Sequence, residues 1–153
     1  MQKLNLPEYT FKLKLENGKE VIFDMLRKKY VRMTPEEWVR QNFIRFLVEE
    51  KNFPASLMAV ETLVNVNNNP LRADLIVFGK SGQPLVAVEF KAPSVKISQD
   101  TFNQIVRYNM NLKVEYLIVS NGLAHYCCKI DYMANSYTFL QEIPDYTVLI
   151  QNS

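Results

Sequence analysis

The stretch VAVEFKAP, from Val86 to Pro93, places two charged residues in an otherwise apolar run. Glu89 and Lys91 stand two residues apart, so in a strand their side chains leave on the same face. Charged side chains are rarely buried unless they are paired or bind a metal. The pattern therefore indicates either a solvent-facing pair of charges or a chemical site.

The preceding apolar stretch, RADLIVF, supplies a second carboxylate, Asp74. If Ser81-Gly82 forms the two-residue turn of a hairpin, Lys80 pairs with Gln83, and the ladder then sets Asp74 opposite Glu89. Like charges that lie directly across a sheet repel each other. This pair is therefore expected to shift its pKa values or to bind a cation.

The ligand types indicate which cation would suit this pair. Carboxylate oxygens favour Mg²⁺ or Mn²⁺ over zinc.

The register that pairs Asp74 with Glu89 also sets Arg72 opposite Lys91 and Phe78 opposite Leu85. The alternative is that the charged residues face solvent and form ordinary surface pairs, which contribute little to stability. Because apolar residues occupy both faces of the hairpin, both faces are expected to be covered.

Local signals indicate the elements that position this hairpin. The stretch YTFKLKLENGKEVIFD alternates apolar and polar residues around Asn17-Gly18, which predicts a β-hairpin. A helix is predicted from Pro35 to Lys51, with Thr34 as its N-cap and Glu37 as the reciprocal partner in a capping box. The other predicted elements are the strands AVETLVNV, RADLIVF and PLVAVEFK, a helix in SQDTFNQIVRYNMNL, the strand VEYLIVS and two weaker strands in AHYCCKI and SYTFLQEI, with turns at Asn67–Pro70 and Gly79–Gln83.

This order predicts an α/β fold with a mixed β-sheet flanked by helices. Its core is αβββαβ, with an N-terminal β-hairpin and a β-rich C-terminal tail. The last core strand is expected to return through the second helix, parallel to its predecessor. We expect one domain over residues 1–153, with a hairpin extension in 1–29, the core in 30–122 and C-terminal strands in 123–153.

Composition excludes several classes of protein. A chain of 153 residues with 48% hydrophobic content is globular rather than disordered. The formal net charge of +2 is too mild to indicate a nucleic-acid binder, and the basic cluster at residues 27–32 is most simply a solvated edge. No stretch approaches the roughly 20 apolar residues of a membrane span. We therefore expect a cytoplasmic protein with no membrane partner.

The chain also resembles a known family. The pattern RADLIVFGKSGQPLVAVEFKAP, an Asp followed by Glu-x-Lys on the next strand, resembles the PD-(D/E)xK nuclease superfamily. The stretches TPEEWVRQNFIRFLVEEKNFP upstream and QDTFNQIVRYN with YLIVSNG downstream are similar to the N-terminal nuclease domain of the motor subunit of type I restriction enzymes. The resemblance covers about residues 30–122 and implies a restriction-endonuclease-like fold. The family's proline before the aspartate is present only as Pro70, four residues early.

The resemblance implies metal-assisted hydrolysis of a phosphodiester bond in DNA. Asp74 and Glu89 would hold Mg²⁺ or Mn²⁺, with the main-chain carbonyl of Phe90 as a further ligand. Lys91 would orient or activate the attacking water and offset phosphate charge. The candidate nucleic-acid-binding residues are Arg72, Lys96 and Arg107, although Arg72 fits a structural ion pair equally well.

The two helices add further candidate catalytic residues. Families of this kind use a glutamate on the first helix, and at about 100° per residue Glu36 falls on the apolar stripe while Glu37 lies off it. Gln104 and Tyr108 stand at i and i+4 on the second helix. They resemble the Gln-x-x-x-Tyr element of the RecB-like branch of the superfamily. The alternative is that Tyr108 packs against the sheet and Gln104 is simply exposed.

Two functions of different classes follow. The first is a Mg²⁺-dependent deoxyribonuclease related to type I restriction. The second is a non-cleaving module of the same fold that binds DNA or a partner subunit of a restriction system. The carboxylate pair with Lys91 favours the first, because a module that does not cut has no physical need for opposed carboxylates. A repair or junction-resolving role on the same fold is not distinguished by the sequence.

Overall fold

The computed structural model of the protein describes residues 1–66 and 69–151. Its elements are β1 (Leu13–Glu16), β2 (Lys19–Asp24), β3 (Lys29–Arg32), α1 (Pro35–Glu50), β4 (Met58–Val66), β5 (Asn69–Phe78), β6 (Pro84–Phe90), α2 (Gln99–Met110), β7 (Tyr116–Ser120), β8 (His125–Asp131), β9 (Ser136–Leu140) and α3 (Tyr146–Gln151). The predicted turn at Asn67–Pro70 falls partly on residues 67 and 68, outside the described residues.

The N-terminal strands form a small antiparallel sheet in the order β1-β2-β3. The predicted hairpin turn is confirmed, because Asn17 and Gly18 have φ values of +52° and +77°. Two successive left-handed residues are what a tight hairpin turn of this type requires. The third strand, β3, forms from the segment that the sequence predicts only as a basic edge.

The larger sheet has six strands in the order β4-β5-β6-β7-β8-β9. The pair β6 and β7 is parallel, and α2 makes the crossover between them, while the other neighbours are antiparallel. The order α1, β4, β5, β6, α2, β7 is the predicted αβββαβ core. The mixed sheet flanked by helices is therefore confirmed.

Helices cover both faces of the six-stranded sheet. On one face, apolar side chains of α1 and α3, such as Phe43 and Leu149, pack with Leu75, Val88 and other strand residues. On the opposite face, Phe102 and its neighbours on α2 pack against the alternate positions of the same strands. The expectation that both faces of the hairpin are covered is thus confirmed.

The register between β5 and β6 follows the prediction in the middle of the hairpin and departs from it at the turn. Leu75 pairs with Val88 and Ile76 with Ala87, as expected. Near the turn the register shifts, so that Phe78 pairs with Pro84 rather than with Leu85. The predicted pairing of Lys80 with Gln83 is wrong.

A longer loop causes this shift. The Gly79 N–H donates to the Gln83 carbonyl at 2.8 Å, and the Gly82 N–H donates to the Gly79 carbonyl at 3.0 Å. The irregularity between Val77 and Phe78 then compensates for the longer loop. Leu85 consequently packs with the α1 side of the sheet instead of the α2 side.

The C-terminal tail contains a short helix besides its two strands. The sequence YTVLIQ contains three β-branched residues that favour strands, so α3 was not predicted. A capping signal precedes it, because the Asp145 carboxylate accepts hydrogen bonds from the Thr147 N–H at 3.0 Å and from the Thr147 hydroxyl at 2.7 Å.

Within the described residues, no helix is long and apolar enough to cross a membrane. The division of the chain at residues 29 and 122 stays a prediction.

Candidate functional site

Asp74 on β5 and Glu89 on β6 form a carboxylate pair, as the register predicts. Leu75 pairs with Val88 in the antiparallel ladder, so the residue before Leu75 and the residue after Val88 lie opposite each other. Asp74 Oδ2 accepts a hydrogen bond from the Phe90 N–H at 2.9 Å, which holds the aspartate against β6. The pKa of Glu89 is raised to about 8, first by burial and then by the charge of Asp74 and a hydrogen bond to it. Burial and the neighbouring carboxylate therefore favour the protonated form of Glu89.

Glu36 and Lys91 lie close enough to this pair to interact with it. Burial raises the pKa of Glu36 first, and the charge of Asp74 raises it further, while Lys91 acts in the opposite direction. Lys91 likewise opposes the rise in the pKa of Glu89. The Lys91 N–H donates to the Ser120 carbonyl at 2.9 Å, so its main chain is held by β7. The structure thus brings three carboxylates and one ammonium together at one end of the sheet.

An open cleft of about 330 Å³ runs from the carboxylate pair to α2. Gln104 and Tyr108 line it together with Asp74 and Glu89. The Tyr108 hydroxyl accepts from the Arg72 N–H at 3.0 Å and donates to the Arg72 carbonyl at 3.1 Å. Tyr108 therefore fixes the main chain of β5 two residues before the aspartate, which is a positioning contact.

The three candidate nucleic-acid-binding residues occupy different places. Arg72 lines the cleft, and its guanidinium also forms an ion pair with Glu61 at 3.3 Å. Its side chain is 64% exposed, so this pair leaves it accessible to a phosphate. Lys96, in the loop before α2, and Arg107, in the last turn of α2, are exposed but do not line this cleft.

A network of ion pairs behind the cleft was not predicted from the sequence. The buried Arg40 on α1 lies 3.3 Å from carboxylate oxygens of both Glu37 and Glu61. Arg27, in the turn before β3, donates to Glu37 at 2.9 Å. Arg40 is also 3.9 Å from Glu36, so it ties the network to the candidate site. The one signal of this network in the sequence is the charged residue Arg40 at a core-facing position of α1.

Glu37 has a second role beyond the one predicted. Its N–H donates to the Thr34 hydroxyl at 3.0 Å, which confirms the cap. Its carboxylate accepts from Arg27, Arg40 and Gln41 rather than returning to Thr34. The expectation of a reciprocal capping box is therefore wrong, because the neighbouring arginines offer the carboxylate a charged partner.

The chemistry of the pair suits a hard divalent cation. Mg²⁺ commonly binds through one or two carboxylates and completes its shell with water and substrate phosphate. Asp74 and Glu89 meet that requirement beside an open cleft. Across residues 1–66 and 69–151, no group of three or more His, Cys, Asp or Glu side chains is arranged as a metal cluster. Asp74 and Glu89 are the two side chains of the cleft that could hold such an ion.

The histidine and cysteines serve the fold. Burial raises the pKa of both Cys127 and Cys128 to about 12, and the two thiols are free. They point to opposite faces of β8 and pack in the two apolar clusters. The His125 ring packs against Phe43 and bonds to Ser120. These contacts account for the residues without a chemical role.

A family model matches the part of the chain that contains this site. Residues 35–144 match the family described as type I restriction enzyme R protein N terminus (HSDR_N). The chain belongs to this family. The match spans α1, the carboxylate pair and α2, so all the candidate site residues lie within the HSDR_N region. No match was found among curated proteins.

The solved structures that are similar to this HSDR_N chain include a fragment of a restriction-enzyme subunit. It is the fragment structure of a putative HsdR subunit of a type I restriction enzyme from Vibrio vulnificus YJ016, with 17% sequence identity and a TM-score of 0.49. The similarity covers 71% of this chain and 23% of that one. The chain thus spans under a quarter of the length of that fragment.

Proposed function

We propose that this HSDR_N domain is a metal-dependent deoxyribonuclease of the PD-(D/E)xK type. The observation that carries the proposal is the hydrogen-bonded contact between Asp74 and Glu89, because burial first and then this contact raise the pKa of Glu89 to about 8. Opposed and partly buried carboxylates destabilise each other, so a fold that keeps them together is expected to use them. A divalent cation relieves that repulsion.

Each residue of the site has a role in this proposal. Asp74 and Glu89 would hold Mg²⁺ or Mn²⁺, with the Phe90 carbonyl as a further ligand. A bound ion would lower the pKa of the water that it binds and would neutralise charge on the phosphate. Lys91 orients the attacking water and stabilises the developing charge. Glu36 holds a proton or a water beside the pair.

The residues of the cleft would bind and orient the DNA. Arg72, exposed at the cleft and only loosely held by Glu61, contacts a phosphate. Gln104 offers an amide toward the same space, and Tyr108 fixes the β5 main chain. Lys96 and Arg107 extend the contact beyond the cleft as phosphate partners. Subunits of a type I restriction system are the proposed protein partners, because the family is defined on the R subunit.

The test is a titration of Mg²⁺ and Mn²⁺ followed by calorimetry and by thermal melting. Because a ligand that binds the native state stabilises it by mass action, the melting temperature of wild type should rise with metal. Asp74→Asn and Glu89→Gln should lose that rise. Glu142→Gln, an exposed carboxylate in the tail, is the matched control and should keep it.

Cleavage is tested separately with duplex, single-stranded and branched DNA. Mg²⁺-dependent nicking or cutting by wild type that Asp74→Asn lacks would support the proposal. A wild type that neither binds metal nor cuts any of these substrates would overturn it.

A non-cleaving module of the same fold is the alternative function. In that case the domain binds DNA or a partner subunit, and DNA affinity is the same in EDTA and in Mg²⁺. The titration separates the two functions, because only the nuclease shows metal-induced stabilisation that depends on Asp74.

A further inference from the structure

The outer face of the N-terminal sheet carries side chains that the proposed nuclease site does not use. Side chains alternate between the faces of a strand, and residues paired across strands share a face. Ile22 and Asp24 are fully buried and define the inner face. The other face, called here the outer face, carries one acidic residue, the buried Val21, and a set of cations and aromatic rings: Glu16, Val21, Lys12, Lys14, Lys19, Phe23, Tyr30 and Arg32.

Charge is segregated onto this part of the molecule. Residues 12–32 contain seven Lys or Arg and three Asp or Glu, a net charge of +4, whereas the whole chain has +2. The rest of the chain therefore carries a net charge of −2. Arg27 and Asp24 pair with each other, and the other six cations of the segment are exposed, including Lys14, which forms a solvent-exposed ion pair with Glu16 at 3.8 Å. The positive potential is thus directed to solvent at this sheet.

Two aromatic rings lie among these cations. Phe23 and Tyr30 pair across β2 and β3, with ring centroids 5.2 Å apart in an edge-to-face arrangement. Lys14 Nζ lies 4.0 Å from the centroid of the Tyr30 ring, and Lys12 Nζ lies 5.6 Å from that of Phe23. Both rings are half-buried, so each keeps an accessible edge or face.

We propose that the outer face is a second nucleic-acid surface, which binds a single strand. Surfaces of this kind combine cations that follow the phosphates with aromatic rings on which bases stack. Lys12, Lys14 and Arg32 would contact phosphates, and Tyr30 would stack on a base once the Lys14 ammonium moves to a phosphate. Charge complementarity selects a polyanion, and the ring pair selects one with unpaired bases.

The position of this surface suits a role in guiding substrate. Strand β3 ends at Arg32, two residues before the N-cap Thr34, and α1 carries Glu36 of the candidate site in its first turn. A strand bound along β3 would therefore lead toward the carboxylate pair. The inference adds to the proposed nuclease function, but it concerns binding and is tested without metal.

The experiment measures the anisotropy of a labelled single-stranded oligonucleotide in EDTA between about 50 and 200 mM salt. The variant Lys12→Gln/Lys14→Gln/Arg32→Gln should bind at least about tenfold more weakly, with the salt slope reduced by about two because each lost single-strand phosphate contact removes about 0.7. Melting curves check that each variant is folded. Lys80→Gln/Lys113→Gln/Lys129→Gln removes the same charge from exposed positions elsewhere and should bind like wild type.

A second variant tests stacking rather than charge. Tyr30→Leu should weaken single-strand binding about tenfold and leave the salt slope unchanged, since base stacking is insensitive to salt. The proposal is overturned if the two triple variants lose affinity equally, if only Arg72→Gln/Lys96→Gln/Arg107→Gln loses it, or if wild type binds duplex alone. Because every arm is run in EDTA, failure here leaves metal binding and hydrolysis to be judged by their own titration.

Discussion

Lys91 follows the carboxylate pair on β6, and its ammonium is the group that most clearly separates hydrolysis from binding. Its charge acts on both Glu36 and Glu89. In hydrolysis it would act on the attacking water and on charge that develops only in the transition state. Lys91→Ala should therefore reduce single-turnover cleavage by about 10²-fold or more, while DNA affinity falls much less.

Cleavage rates and DNA anisotropy, measured on the same preparation, check this prediction. In a binding module, Lys91 is one phosphate contact among several, so its loss reduces affinity modestly and the salt slope by about one unit. Equal losses of rate and affinity would contradict the catalytic role.

The adjacent glutamates Glu36 and Glu37 give the second residue-scale prediction. Glu36 is partly exposed and faces the carboxylate pair, so Glu36→Gln should weaken cleavage or the metal response with little change in stability. Glu37 is buried and accepts from Arg27, Arg40 and Gln41. Glu37→Gln should lower the free energy of unfolding by about 3 kcal/mol, because it removes the buried carboxylate that Arg27 and Arg40 share and leaves their charges less well compensated.

Denaturant unfolding and metal titration of both variants measure the contrast. Glu49→Gln, an exposed carboxylate near the end of the same helix that pairs with Arg45 at 3.5 Å, is the control and should change stability by less than about 1 kcal/mol. The reverse pattern, with Glu37→Gln stable and inactive, would move the helix carboxylate of the site to Glu37.

At the scale of elements, Tyr108 joins α2 to the main chain of β5. Its hydroxyl makes two hydrogen bonds with Arg72, at 3.0 and 3.1 Å. Tyr108→Phe should lower the free energy of unfolding by about 1 kcal/mol, since water replaces part of this exposed interaction. It should also reduce cleavage, because β5 carries Asp74.

Urea unfolding and cleavage rates together define the role of Tyr108. Tyr126→Phe, an exposed tyrosine on β8, serves as the control. A Tyr108→Phe variant with unchanged stability and much slower cleavage would mean that the hydroxyl contacts substrate rather than positioning β5.

Elements with local signals were predictable from the sequence. The cap at Thr34 and the turn at Asn17-Gly18 depend on residues within one turn of each other, and both are confirmed. The register of β5 with β6 was correct at Leu75, one residue from the carboxylate pair, although the turn was not. Apolar alternation sets the register of a buried hairpin more firmly than a weak turn signal does.

Features that depend on distant residues were not predictable in this way. The network of Arg40 joins α1, β4 and the turn before β3, and no spacing within one segment reveals such a set. Glu61 also has φ +49° within β4, a left-handed conformation that a single sequence does not indicate. Helical periodicity predicts Glu36 toward the sheet, and Glu36 does lie close enough to Asp74 to interact with it. The same periodicity places Glu37 off the apolar stripe, which is wrong, because ion pairs with Arg27 and Arg40 hold Glu37 in a buried position.

At the scale of the whole molecule, the N-terminal segment is bound to the six-stranded sheet beside β8. The Asn5 N–H donates to the Gly122 carbonyl at 2.8 Å, and His125 Nε2 lies 2.9 Å from the Asn5 carbonyl. Gly122 has φ +86°, and a Cβ there would meet Leu4 at 2.7 Å, so the close approach requires glycine. The His125 ring thus holds the segment through the Asn5 carbonyl, and the Ser120 hydroxyl orients the ring.

The burial of His125 predicts how the free energy of unfolding changes with pH. Burial lowers the pKa of His125, so the native state holds the ring neutral where the unfolded chain, with a pKa near 6.5, binds a proton. The free energy of unfolding should therefore decrease as pH falls below about 6.5, because the unfolded state then binds more protons. Glu89 has the opposite sign, because its raised pKa makes stability decrease as pH rises from about 4.5 toward 8.

Comparison of wild type with His125→Gln isolates the histidine contribution. Glutamine supplies an N–H for the Asn5 carbonyl but does not titrate, so the difference in unfolding free energy between the two proteins should favour wild type less at pH 5 than at pH 8. Since Glu89 is present in both proteins, its contribution cancels in that difference. Denaturant unfolding across this range in EDTA measures it. A difference that is constant with pH would show that His125 keeps its ordinary pKa and that the N-terminal segment remains bound when the ring is charged.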